Sequence, residues 1–190
     1  MMDKHYILLF TDSFSHQDLF WRLERLGVKT DSIVFSSPKN AEFIAPAEIA
    51  YALDTALIPF SNQTGVKVGA LVSHGHGELE NHLLPYSLAY FPNMASHLSD
   101  LILREMSFGD YSCYSLFMKL FRNVDSDLMQ AAGAYLRCGC QALKAAEVLY
   151  VHRNTFNYRL ANFIKKTNLD IRDYHNALLL ELYFQLRHRS

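Results

Sequence analysis

The order of hydrophobic patterns predicts a chain in two parts, an α+β domain followed by an all-α helix-turn-helix domain. Three observations carry this. Short apolar runs and amphipathic stretches alternate up to about residue 106, every periodic segment from Asp125 onward is helical, and no proline follows Pro92. The expected division is an α+β domain over 1–106, a connecting helix or linker over 107–124, and an all-α domain over 125–190.

In the first part, the apolar run Tyr6 to Phe10 reads as a buried strand. A helix follows, with Ser15 at its N-cap, Asp18 in its first turn, Leu19, Phe20, Leu23 and Leu26 as its apolar stripe, and Gly27 just past its end. Next come a strand near Ser32 to Phe35, a helix near Pro46 to Ala56 with Pro46 in its first turn, and a strand near Val66 to Val72. Helical segments are expected at about Leu79 to Tyr90 and Asn93 to Met106. Ser107, Phe108, Gly109 and Asp110 form the break, and an aromatic-rich helix, Tyr111 to Phe121, bridges to the second part.

In the second part, Asp125 or Ser126 caps a helix to about Arg137, which Gly139 ends by permitting a left-handed turn. A helix from about Gln141 to Leu149 presents Ala142, Ala146 and Leu149, small enough for close packing. Only Tyr150 and Val151 separate it from a helix over Arg153 to Lys166. An alanine-rich helix, a very short turn and a helix rich in Arg, Asn and Lys make the helix-turn-helix pattern. A last helix, about Tyr174 to Arg187, brings Leu178, Leu179, Leu182 and Phe184 to close the core.

Composition agrees with a folded protein that has no membrane span: half of the 190 residues are hydrophobic and 19% are charged, and no apolar run nears the roughly 20 residues that cross a bilayer. The opening residues are too soon interrupted to read as a signal peptide, so a cytoplasmic protein is expected. Cys113, Cys138 and Cys140 lack zinc-knuckle spacing and read as reduced structural thiols. Charge is divided unevenly. Residues 1–120 hold 8 Lys and Arg against 13 Asp and Glu, whereas 121–190 hold 10 against 6, which places the attraction for a polyanion in the second part.

At about 100° per residue, Phe156, Leu160, Phe163 and Ile164 share the buried stripe of the third helix of the second part. The opposite face carries Asn154, Tyr158, Ala161 and Lys165, with Thr155 and Asn157 at its margins and Arg153 and Arg159 flanking the stripe. Asn pairs with adenine and Arg with guanine in the major groove, while basic and hydroxyl side chains suit phosphates. Double-stranded DNA is therefore the expected partner.

The string Val151-His152-Arg153-Asn154-Thr155-Phe156-Asn157-Tyr158-Arg159-Leu160 resembles the recognition-helix motif of the purine-catabolism (PucR) and sugar-diacid (CdaR) regulator families, and the resemblance extends from about Leu128 to His188. It implies a transcription regulator that binds DNA as a dimer or higher oligomer, with His152, Arg153, Asn154, Thr155, Tyr158 and Arg159 carried over as DNA-binding positions. Asn157 and Lys165 join them from the helix face. The chain departs from the family pattern at Ala145 and Glu147, where Thr and a basic residue are expected, and at Asn168, where glycine is usual. Glu147 would weaken phosphate contact unless it points away, which keeps open an alternative reading as an interaction protein that no longer binds DNA. Val66-Lys67-Val68-Gly69, with the polar loop and helix after it, resembles the end of a degenerate cyclase-like (GGDEF-like) domain, which would serve dimerisation or sensing. The Gly-Gly-Asp-Glu-Phe signature is absent, so no nucleotide cyclisation is expected.

The other alternative is a metal- or small-molecule-binding enzyme on the first part. His74-Gly75-His76-Gly77-Glu78, with His82, gathers metal-ligand types, but the glycines leave them unfixed and a strand-to-helix turn explains them equally well. Ser73 and His74 make no nucleophile elbow, and no phosphate-cradling glycine loop occurs. The aromatic group Phe108, Tyr111, Tyr114, Phe117 and Phe121 could clasp a planar ligand, but fits a core or a dimer seam better. The expectation is thus a non-enzymatic regulator with no cofactor, no metal and no membrane contact, a homodimer, with an effector that the sequence does not identify.

Overall fold

A computed structural model describes residues 3–187; Met1, Met2 and residues 188–190, with the expected ends of the second domain and of the family resemblance, lie outside the described residues. The chain divides into two compact units, one ending at Cys113 and the other beginning at Tyr114. Residues 107–113 thus belong to the first unit and 114–124 to the second. The first unit mixes helices with a five-stranded sheet and the second is helical, the combination that the alternation of patterns predicts. Among the described residues no helix is long and apolar enough to cross a membrane.

In the first unit β1 (Asp3–Phe10), β2 (Val34–Ser37), β3 (Asn40–Pro46), β4 (Val68–Ser73) and β5 (Ala95–His97) lie in the order β2-β3-β1-β4-β5. β1 pairs antiparallel with β3 and β4, β2 pairs antiparallel with β3, and β5 runs parallel to β4. Side chains alternate across each strand. Tyr6, Leu8 and Phe10 of β1 meet Ala41, Phe43 and Ala45 of β3 and Val68, Ala70 and Val72 of β4 in one apolar cluster. Leu19 and Leu23 of α1 (His16–Arg25), with Leu53, Leu57 and Phe60 of α2 (Leu53–Thr64), cover it. α3 (Glu78–Tyr90) packs on β4 and β1, and α4 (Leu98–Ser107) packs against α3, β4 and β5. Gly69 permits that approach: a β-carbon there would lie 2.5 Å from Ser87 Oγ and 2.6 Å from the Leu88 amide nitrogen.

Two expected helices are corrected. Residues from Pro46 to Ala56 do not form one helix; Pro46 ends β3, a strand absent from the sequence reading, and a 3₁₀ turn over Ala47–Tyr51 delays α2 to Leu53. Proline supplies no amide to a ladder, so it closes a strand as well as it opens a helix. The Tyr6 hydroxyl settles the matter by donating to Pro46 O at 2.8 Å and accepting from the Ala50 amide at 3.1 Å. The stretch from Asn93 to Met106 is likewise split into β5 and α4. Asn93 takes a left-handed backbone with φ 64°, its side chain accepts from the Val68 amide at 2.9 Å, and Asp100 then accepts from the His97 amide to begin α4. The strand expected near Ser32 to Phe35 starts two residues later, after a 3₁₀ turn at Thr30–Ser32.

The second unit contains α5 (Tyr114–Lys119), shorter than the expected bridge, then α6 (Ser126–Arg137), α7 (Ala142–Val148), α8 (Arg153–Thr167) and α9 (Tyr174–Leu186). α6 buries Ala131, Ala132, Gly133 and Ala134, side chains small enough for α7, α8 and α9 to pack on one helix. The Phe184 ring comes so near Gly133 that a β-carbon there would meet it at 3.0 Å. Phe117 and Phe121 are buried, the latter 4.5 Å from the Tyr183 ring, so that part of the aromatic group is core. Of the four residues expected to close the core from α9, Leu179 is fully buried and Leu178, Leu182 and Phe184 are half-buried, while Leu180 and Leu186 complete it.

Candidate nucleic-acid interface

α7 ends in a turn that fixes the direction of α8. The Tyr150 amide donates to Glu147 O and the Val151 amide to Ala146 O, both at 3.0 Å, with Tyr150 left-handed at φ 53°. This crossed pair of bonds satisfies carbonyls that the helix end leaves unpaired. Two residues further on, His152 Nδ1 accepts from the Asn154 amide at 3.2 Å and caps α8. The imidazole therefore has a structural task at the helix start, and its Nε2 edge remains for an outside partner.

Phe156, Leu160 and Phe163 form the buried side of α8, with Ile164 half-buried. Full burial of such a side chain stabilises by roughly 1.5–3 kcal/mol, which is enough to fix the rotation of the helix. The other side is thereby turned to solvent. Arg153, Asn154, Thr155, Asn157, Tyr158 and Lys165 are all exposed, Tyr158 to 69%. His152 is exposed at the helix start.

Arg159 differs from the other expected positions. It is half-buried, and its guanidinium lies 2.8 Å from Asp127 of α6. One two-turn step along the same side, Lys166 Nζ donates to Asp125 Oδ2 at 2.8 Å. Asp125 stands at the N-cap position of α6 without capping it through its side chain. Its carboxyl is held below the usual range, first by the bond from Lys166 and then by the charge of Lys166. Lys166, Asn162 and the two aspartates are absent from the sequence-derived set. The helical wheel could have found Lys166, which flanks the exposed face, but not the aspartates that meet it from another helix.

Glu147 is exposed on α7. In the first unit the histidine-rich segment is dispersed. His76 Nδ1 lies 2.8 Å from Glu42 Oε2 and its Nε2 lies 2.7 Å from Asn81 Oδ1, His74 Nε2 meets Lys4 Nζ at 2.8 Å, and His82 meets Ser112 Oγ at 3.1 Å. Among the described residues no three His, Cys, Asp or Glu side chains converge to hold a metal ion.

An alanine-faced helix, a tight left-handed turn and a capped helix with a polar, amide- and guanidinium-bearing outer face define a helix-turn-helix module. The family comparison agrees: residues 128–186 match the PucR C-terminal helix-turn-helix domain. The Carbohydrate diacid regulator of Escherichia coli (strain K12) is 31% identical over 107 residues, 54% of this chain and 27% of its own length. The Proline-responsive transcriptional activator PutR of Bacillus subtilis (strain 168) is 33% identical over 61 residues, 32% of this chain and 15% of its own. The matches thus span well under a third of either relative. The solved Regulator of Polyketide Synthase Expression from Bifidobacterium adolescentis aligns with all of this chain and 83% of its own at 19% identity, with a TM-score of 0.46, too weak a likeness to carry a conclusion.

Proposed function

We propose that this protein is a sequence-specific DNA-binding transcription regulator that lays α8 in the major groove of double-stranded DNA. One observation carries the reading: the packing of Phe156, Leu160 and Phe163 turns Arg153, Asn154, Thr155, Asn157, Tyr158 and Lys165 outward together, directly after the helix-turn-helix corner. Arg153 suits guanine, Asn154 and Asn157 suit adenine, and Thr155, Tyr158 and Lys165 suit phosphates. His152 holds the helix start and offers one ring nitrogen, and Arg159 serves the backbone from the flank. The curated relatives are themselves named as a regulator and a transcriptional activator.

On this reading the protein is a cytoplasmic, non-enzymatic homodimer. The first unit provides dimerisation or sensing for an effector yet to be identified, and the operator is two-fold, with half-sites about one helical turn apart. Selection of random duplex DNA on the purified protein tests it. The expected result is a palindromic consensus whose binding is lost in Arg153→Ala with Asn154→Ala. Equal retention of the selected DNA by the wild type and that double variant would sink the assignment of α8.

A further inference from the structure

Between the start of α6 and the outer side of α8 lies an open groove of about 460 Å3, lined by Asp125, Leu128, Tyr158, Asn162, Lys165 and Lys166. Two ammonium groups, a phenol hydroxyl and a carboxamide are donors suited to phosphate oxygens. Asp125 is the acidic exception, and its carboxylate already engages Lys166 at 2.8 Å. Asp127 engages Arg159 in the same manner and at the same distance. Arg159 and Lys166, seven positions apart, lie on one side of α8, so the two carboxylates cover one cationic flank. Both aspartates are more than half exposed, and exposed pairs of this kind are weak enough to yield to another anion.

We propose that this groove seats a backbone phosphate of DNA and that Asp125, paired with the groove's Lys166, and Asp127, paired with Arg159 on the same flank of α8, act in the free protein as built-in competitors that lower affinity for the duplex. This rests on the reading of α8 as the DNA-facing helix. Cations already neutralised by protein carboxylates release fewer counterions on binding, so the same pairs flatten the salt dependence.

The test uses the full chain and a fluorescently labelled duplex of random sequence, because phosphate contacts do not depend on base order. The Asp125 side chain makes no cap bond and asparagine is as well suited to an N-cap position as aspartate, so Asp125→Asn removes no cap, and thermal melting verifies the fold of each variant. Asp125→Asn with Asp127→Asn is expected to bind about three- to tenfold tighter at low salt. The slope of log affinity against log salt should steepen by roughly one to two. Lys166→Gln should weaken binding and erase the gain from Asp125→Asn when the two are combined. A double aspartate variant that melts like the wild type yet binds no tighter overturns the proposal, and so does a gain from Asp125→Asn alone that survives Lys166→Gln. A wild type that binds no duplex at all removes the DNA reading beneath it, which is a distinguishable result.

Discussion

The Glu42 carboxylate oxygen Oε2 is shared by two imidazoles, His76 Nδ1 at 2.8 Å and His5 Nε2 at 3.0 Å. His5 and Glu42 come from the paired strands β1 and β3, and His76 comes from the loop after β4. The bond to Asn81, followed by Glu42, raises the His76 pKa, and the bond from His76 holds the Glu42 carboxyl below its ordinary 4.5.

The pH dependence follows from these directions. The Glu42 contribution is present above 4.5 and is lost as pH falls through its lowered folded value. The His76 contribution is complete below 6.5 and is lost as pH rises through its raised folded value. The stability difference between wild type and Glu42→Gln should therefore be greatest between about pH 4.5 and 6.5 and shrink on both sides. Denaturant unfolding of both proteins across pH measures this; a difference that does not vary with pH contradicts it.

Gly69→Ala forces a β-carbon against the backbone of α3, at 2.6 Å from the Leu88 amide nitrogen. Backbone cannot swing aside as a flexible side chain can, so a loss of about 1–3 kcal/mol or more is expected. Gly75→Ala, whose β-carbon meets nothing within 4 Å, is the control. Urea midpoints of the two variants should separate clearly.

Opposite sides of α8 should respond to truncation in opposite ways. Phe163→Ala removes a fully buried ring and should cost roughly 3–5 kcal/mol of stability. Arg153→Ala with Asn154→Ala touches exposed positions and should stay within about 0.5 kcal/mol per substitution while losing DNA affinity. Calorimetry beside a binding titration separates the two effects, and a large drop in melting temperature for the exposed pair would contradict the assigned faces.

Tyr150 is 96% exposed yet holds a left-handed backbone. That conformation costs a non-glycine residue roughly 1–2 kcal/mol, part of which is returned by the lower entropy of its unfolded chain. Tyr150→Gly is thus expected to stabilise by about 0.5–1 kcal/mol. Asn168→Gly, at φ 56°, should gain less because asparagine tolerates this region. Unfolding of both variants under one set of conditions decides the ranking.

Helices α6 to α9 were legible at nearly residue resolution because their signals are local. The 3.6-residue period places Phe156, Leu160 and Phe163 on one side of α8, and Asp125, Gly139 and the two residues before His152 mark where helices start and stop. β1, α1, β4 and α3 were readable for the same reason. β3 was not, because Pro46 gives the same mark for a helix start as for a strand end. Asn93 similarly interrupts a pattern that by itself continues as helix.

The sequence by itself determined which residues turn inward and which turn outward, since periodicity reports the buried face of an element directly. Only the tertiary structure decided which charges meet: Glu42 with His76 across 34 positions and Asp125 with Lys166 across 41. No period encodes such a pairing, because it depends on how separate elements are brought side by side by the burial of their apolar faces.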